Sequence, residues 1–157
     1  MKITHGNVAI AVDIMKEAAT WLMETGRPMW RLEDLTEDEI LTGITADDIY
    51  IGWINEESVA TMILQWSDPL FWPQANDDSG FIHKLSVRRK FAGGGVARQM
   101  VEWGKHEAHR RGKGYLRLDS AADRSTLCAL YEEMGFRRID RRMVGPFDIA
   151  FYELKLR

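Results

Sequence analysis

The chain lacks the features that would take it out of the ordinary globular classes. Its 157 residues include a single cysteine, Cys128, so no disulfide can close within it. With no Cys or His partner at metal-ligand spacing, that thiol reads as buried packing rather than as a nucleophile. No apolar run approaches the roughly 20 residues needed to span a bilayer, and Met1-Lys2-Ile3-Thr4-His5-Gly6 lacks the continuous apolar segment of a secretory leader. The expected setting is the cytoplasm, with no membrane partner. Repeats, low-complexity tracts and evident linkers are missing as well, so 1–157 is expected to be one domain around one core. A net charge of -3, with eleven of the 21 Lys/Arg gathered between Lys84 and Arg124, argues against a nucleic-acid partner.

What is present reads as strand and helix patterns in turn. Ile3 belongs to a short first strand, and Val8, Ala11, Val12, Met15, Ala18, Ala19 and Leu22 mark one face of an amphipathic helix closed by Gly26 and Pro28. A second helix starts at Thr36, with Glu39 completing a capping box and Leu35 and Ile40 spaced as its hydrophobic staple. Ile49 to Ile54 and Val59 to Trp66 are β-rich runs around Asn55-Glu56-Glu57, which predicts a hairpin. Residues 67 to 78 form a loop. The turn residues Asn76-Asp77-Asp78-Ser79-Gly80 lead into a strand at Phe81 to Val87, and Ala97, Met100, Val101, Gly104 and Ala108 then recur at helical spacing to about Arg111, before Gly112. Tyr115 to Asp119 reads as a strand, and Asp123 as the cap of a helix ending in Leu130-Tyr131-Glu132-Glu133-Met134-Gly135-Phe136. Phe136 to Arg141 and Phe147 to Leu156 are two more strands, the last apolar on both faces as a covered strand would be.

The most specific stretch is Val87-Arg88-Arg89-Lys90-Phe91-Ala92-Gly93-Gly94-Gly95-Val96-Ala97-Arg98. Glycines allow backbone N–H groups to approach a phosphate closely, and the helix N-terminus that follows adds unpaired donors and a partial positive charge. Two nucleotide patterns fail. No Gly-Lys is followed by Ser or Thr, which removes the P-loop, and Arg98 stands where the dinucleotide fingerprint needs its third glycine. The stretch resembles the acyl-CoA signature of the GNAT superfamily of N-acyltransferases, Gln/Arg-x-x-Gly-x-Gly/Ala, aligned as Ala92-Gly93-Gly94-Gly95-Val96-Ala97, with Ala92 in the Gln/Arg slot. The ending Leu130-Tyr131-Glu132-Glu133-Met134-Gly135-Phe136 is similar to that family's second motif, and the two stand in the family's order.

The resemblance implies an α+β protein of the GNAT fold: a mixed, mostly antiparallel sheet of about seven strands with about four helices. Its order would be strand, two helices, three strands, helix, strand, helix, two strands. It implies an acetyltransferase that uses acetyl-CoA as co-substrate and no metal, with the strands carrying Val87 and Leu118 parting to admit CoA. Leu85, Ser86 and Val87 would line the pantetheine arm and supply a backbone oxyanion donor. Arg88, Ala92, Gly93, Gly94, Gly95, Val96, Ala97 and Arg98 would surround the phosphates, and Arg124, in a slot that is often Asn, would reach either the cofactor or solvent. Tyr131 matches the family's general acid. The segment Ile82-His83-Lys84-Leu85-Ser86-Val87 is similar to the corresponding strand of serotonin N-acetyltransferase, whose histidines help deprotonate an arylalkylamine. One of them falls on His83, the other on Phe81. A histidine of ordinary pKa near 6.5 can take up the amine's proton directly or through water, or can simply be a core residue. His5, His106 and His109 read as surface positions.

Charge is divided sharply along the chain. Leu32 to His83 holds twelve Asp/Glu and no Lys or Arg, whereas Lys84 to Arg124 holds eleven Lys/Arg and four acids. The basic half coincides with the expected phosphate site; the acidic half either draws in a cationic amine or keeps a helix solvated. Trp30, Trp53, Trp66, Phe71 and Trp72 precede the glycines, as core filling or, with Pro69 and Pro73, as a stiff pocket wall. A small-molecule amine is the leading acceptor. A protein N-terminus or lysine is the rival, and a non-catalytic acyl-CoA sensor or interaction module is the reading of another class. A homodimer is compatible with all three.

Overall fold

The computed structural model describes residues 1–75 and 78–156. Asn76 and Asp77, part of the expected turn before the central strand, lie outside the described residues. Seven strands and four helices follow one another as β1 (Lys2–His5), α1 (Val8–Glu24), α2 (Glu37–Ile40), β2 (Ile49–Ile54), β3 (Glu57–Gln65), β4 (Ser79–Val87), α3 (Val96–Arg110), β5 (Tyr115–Ala121), α4 (Ser125–Glu133), β6 (Arg137–Val144) and β7 (Phe147–Lys155). The strands are hydrogen-bonded in the order β1-β2-β3-β4-β5-β7-β6. β4 and β5 run parallel, while the β1–β2, β2–β3, β5–β7 and β6–β7 pairs are antiparallel. This is the mixed, mostly antiparallel α+β architecture expected.

The chain divides into two compact units, one made of Met1–Leu64 with Lys84–Met100 and the other of Gln65–His83 with Val101–Arg157. In the first, Asn7 caps α1 by accepting from the Ile10 N–H at 3.2 Å. The buried face of α1 carries Ala11, Val12, Ile14, Met15 and Ala19 into a core with Leu35, Ile40, Ile49, Ile51 and Ile63. Thr36 caps α2 as expected, its hydroxyl accepting from the Glu39 N–H at 3.2 Å, yet the helix is a single turn. The β2–β3 hairpin turns on Asn55 and Glu56, both left-handed at φ 48° and 67°, the pair of conformations a two-residue type I′ turn requires. Glu57 already pairs with Ile54.

In the second unit, β7 is buried on both faces over Ile149 to Tyr152 and has both edges paired, with β5 and β6. β6 is the exposed edge strand and runs to Val144, three residues beyond the expected end, before the hairpin closes with Val144 opposite Phe147. α4 corrects another expectation. Its N-cap is Arg124 rather than Asp123, with no side-chain cap, because Asp123 sits inside a turn in which the Arg124 N–H donates to the Ala121 carbonyl at 3.1 Å. Gly80 lets Trp66 pack close: a Cβ there would stand 3.0 Å from the ring, which would have to give by a few tenths of an ångström. Cys128 is buried at 3 % exposure, as its packing role predicts.

Candidate active site

The glycine loop of the first unit is built on a clasp. The Arg88 N–H donates to the Val59 carbonyl at 2.8 Å, and the guanidinium reaches Asp13 Oδ2 at 2.9 Å, Glu17 Oε1 at 3.4 Å and the Ser58 carbonyl at 2.8 Å. The Arg89 N–H donates to Glu17 Oε2 at 2.6 Å while its guanidinium stacks 3.7 Å from the Trp21 ring centre. Lys90 pairs with Glu57 at 3.2 Å. Arg88, expected at the phosphates, has its side chain engaged with α1 and β3 by two acids and a carbonyl.

Beyond the clasp, Ala92, Gly93, Gly94 and Gly95 are exposed, and Val96, at 3 % exposure, anchors the first turn of α3. Gly93 and Gly95 have φ 79° and 81°, conformations that a residue with a Cβ adopts only under strain. Their amides are thus held in a shape that glycine alone tolerates, next to a helix N-terminus. Ala97 is half-buried and Arg98 exposed. Leu85 and Ser86 are buried and Val87 half-buried, on the last stretch of β4. Just before them Lys84 is left-handed, at φ 51°, so the strand is deflected immediately after His83. The Ser86 hydroxyl donates to the Lys84 carbonyl at 3.0 Å across that deflection.

In the second unit His83 has a carboxylate on each side. The parallel register of β4 and β5 runs from Ser79 opposite Tyr115 to Ile82 opposite Leu118, so the next residues, His83 and Asp119, fall side by side. Nδ1 of His83 lies 3.6 Å from Asp119 Oδ2, and Nε2 lies 3.1 Å from Asp68 Oδ2. The three side chains are only 14 %, 7 % and 16 % exposed for His83, Asp68 and Asp119. Burial on its own would depress the imidazole pKa, but Asp119 and Asp68 outweigh it and hold the value at about 9. His83 is therefore a cation at neutral pH, which corrects the expectation of an ordinary value near 6.5. Both Oδ2 atoms stand at ion-pair distance without an aligned hydrogen bond and are otherwise buried. The three potential ligand atoms lie within 4.8 Å of one another. In the imidazolium form the proton on each ring nitrogen faces one of the two carboxylates.

A chain of aromatic contacts begins beside this group. The Phe71 ring is 6.3 Å from His83 and 6.5 Å from Phe151, and Trp72 meets Phe151 edge-on at 5.5 Å. Tyr131, on α4, is 2 % exposed and packs against Phe136 and Tyr152. Burial drives its phenol well above the ordinary value, opposed by the Arg124 charge at the start of the same helix. Tyr131 thus keeps its proton at any physiological pH and has it to give. Neither Asp68 nor Asp119 stood out from sequence. The legible signal was β5 itself, where Leu116-Arg117-Leu118-Asp119 alternates apolar and polar, placing a carboxylate on one face of a strand flanked on both sides.

The model of the family described as "Acetyltransferase (GNAT) family" matches residues 15–136. An uncharacterized N-acetyltransferase of Bacillus subtilis (strain 168), YesJ, is 27% identical over 130 residues, covering 78% of this chain and 72% of the relative. Among solved structures, the ribosomal-protein-S18-alanine N-acetyltransferase from Escherichia coli superposes with a TM-score of 0.75 at 19% identity, over 99% of this chain and 93% of the other. A putative acetyltransferase from Salmonella typhimurium, yncA, solved with its cofactor acetyl-CoA, superposes at 0.74 and 16% identity, over 100% and 94%.

Proposed function

Because the chain belongs to the acetyltransferase (GNAT) family, we propose that it moves an acetyl group from acetyl-CoA to the primary amine of a small molecule, by direct attack while both are bound. The observation that carries this reading is His83 with a carboxylate at each ring nitrogen and the Phe71 ring beside it. Amide formation at a thioester makes four demands. The amine must be neutral to attack, its proton must go to an acceptor, the carbonyl oxygen needs a donor, and the departing thiolate gains from protonation.

In this reading the amine nitrogen bonds to the acetyl carbon and the carbon–sulfur bond breaks. The nitrogen's surplus proton passes to His83 in its neutral form, and the sulfur takes the Tyr131 proton to leave as the thiol. A backbone N–H between Leu85 and Val87 meets the carbonyl oxygen. The exposed amides of Gly93, Gly94 and Gly95, with the first turn of α3, hold the CoA phosphates, helped by Arg98; Arg124 tempers Tyr131. With His83 cationic below about pH 9, turnover should climb with pH toward that value.

The test is thiol release from acetyl-CoA against a panel of small primary amines, run beside peptides carrying an N-terminal alanine or an internal lysine, with calorimetry for acetyl-CoA. N-acetylated small amines as the best products support the proposal. The peptide arm matters because a structural relative acetylates a ribosomal protein's alanine, and a preference for peptides would move the acceptor to that class. Acetyl-CoA bound with no acceptor turned over would identify a sensor instead.

A further inference from the structure

We infer that Asp68 is a positioning residue that sets the charge of His83 and the place of the Phe71–Trp72 aromatic turn together. The inference rests on the role given to His83 above. Its basis is that the carboxylate has two oxygens with two different occupations. Oδ1 accepts the Phe71 N–H at 3.1 Å, and the Asp68 main-chain carbonyl accepts the Trp72 N–H at 2.9 Å. Oδ2 faces His83 Nε2 at 3.1 Å. With Asp68 only 7 % exposed, water offers little substitute for either contact. One buried side chain therefore ties the aromatic turn to the proton-accepting histidine.

The surroundings separate these two duties. Asp119, from β5, is the only other acid within ion-pair distance of His83 among the described residues, and it has no bond to the turn. Arg142, from β6, reaches the turn at the Phe71 carbonyl, 2.7 Å away, and stacks on Phe151. Arg117, from β5, lies 5.5 Å from the Trp72 ring centre but is held by Glu153. Lys84, next in the chain, directs its ammonium over Trp30. Of these groups, Asp68 alone touches both the imidazole and the turn's backbone.

Three variants divide its work. Asp68→Asn keeps an oxygen for the Phe71 N–H but loses the charge, Asp68→Ala loses both, and Asp119→Asn loses a charge without touching the turn. NMR titration of the imidazole resonances, with His83 assigned through His83→Gln, should show the midpoint falling by about one unit or more in all three. The Trp72 indole resonance should move in Asp68→Ala and hold still in the two Asn variants. With an accepted amine, KM for that amine should rise about tenfold in Asp68→Ala and stay within about threefold in Asp68→Asn and Asp119→Asn. The titrations need no turnover, so a failure of the proposed acetyl transfer would leave them readable. An unmoved His83 midpoint in Asp68→Asn overturns the inference even if Asp68→Ala does not fold. So does a Trp72 resonance, or a KM, that responds to Asp68→Ala no more than to Asp68→Asn.

Discussion

The glycine loop and the His83 group work by opposite means. The loop is exposed, and what it offers is main-chain shape: amides arranged by two left-handed glycines on a stem clamped to α1. The His83 group is buried and offers side-chain charge gathered from three places in the chain. A shape made by the backbone depends little on the side chains around it, once glycine supplies the two left-handed positions. A buried charge is not, because each partner removed leaves another without compensation. The contrast predicts graded tolerance to mutation, with binding tolerant and proton transfer brittle.

The largest test of that contrast is Tyr131→Phe. Removing one phenolic oxygen should lower kcat by about 10²–10⁴-fold with the Kd of acetyl-CoA unchanged, read by single-turnover kinetics and calorimetry. A loss confined to Kd would make Tyr131 part of the binding surface instead.

Next in size is a linkage effect on stability. The folded pKa of His83 is raised from 6.5 to about 9, so its ion pairs stabilise the fold fully below the unfolded value and lose that contribution as pH rises through about 9. Urea unfolding of the unmodified chain should show stability falling across this window by ~3 kcal/mol at most. In His83→Gln that part of the slope should vanish; an equal slope in both would place the titrating group elsewhere.

The loop should show the smallest effects. Gly95→Ala forces a Cβ onto a φ of 81° and should cost about 1 kcal/mol with weakened acetyl-CoA binding. Gly94→Ala, whose added Cβ would meet the Phe91 carbonyl at 3.4 Å, should cost less. Ala92→Gln adds a donor at an exposed position and should tighten acetyl-CoA about threefold, roughly the increment of one modest hydrogen bond. If the two glycine variants were equally harmful, the shape account of the loop would fail.

The same contrast explains what was legible in the sequence. Glycine carries its conformation in its own identity, and the Asn55-Glu56 turn and the cap at Thr36 are local facts too, while the apolar periodicities located the strands and helices to within a few residues. His83 was legible as a candidate, but its partners lie at 68 and 119, and only the β4–β5 register and the Asp68 turn bring them to it. Charge counting also missed the partners of Arg88. A basic run beside glycines suggests phosphate, but Asp13 and Glu17, far earlier in the chain on α1, meet Arg88.

The Arg88 clasp has a consequence for the entropy of binding. A glycine-rich segment has many conformations to surrender, and each ordered residue costs about 1–2 kcal/mol of backbone freedom. Because Arg88, Arg89 and Lys90 are each secured to α1 or β3, the stem of the loop arrives at the ligand already ordered, and only its crown, Ala92 to Gly95, has freedom left to lose. Positive charge placed beside the loop is thus converted into rigidity that a ligand need not impose.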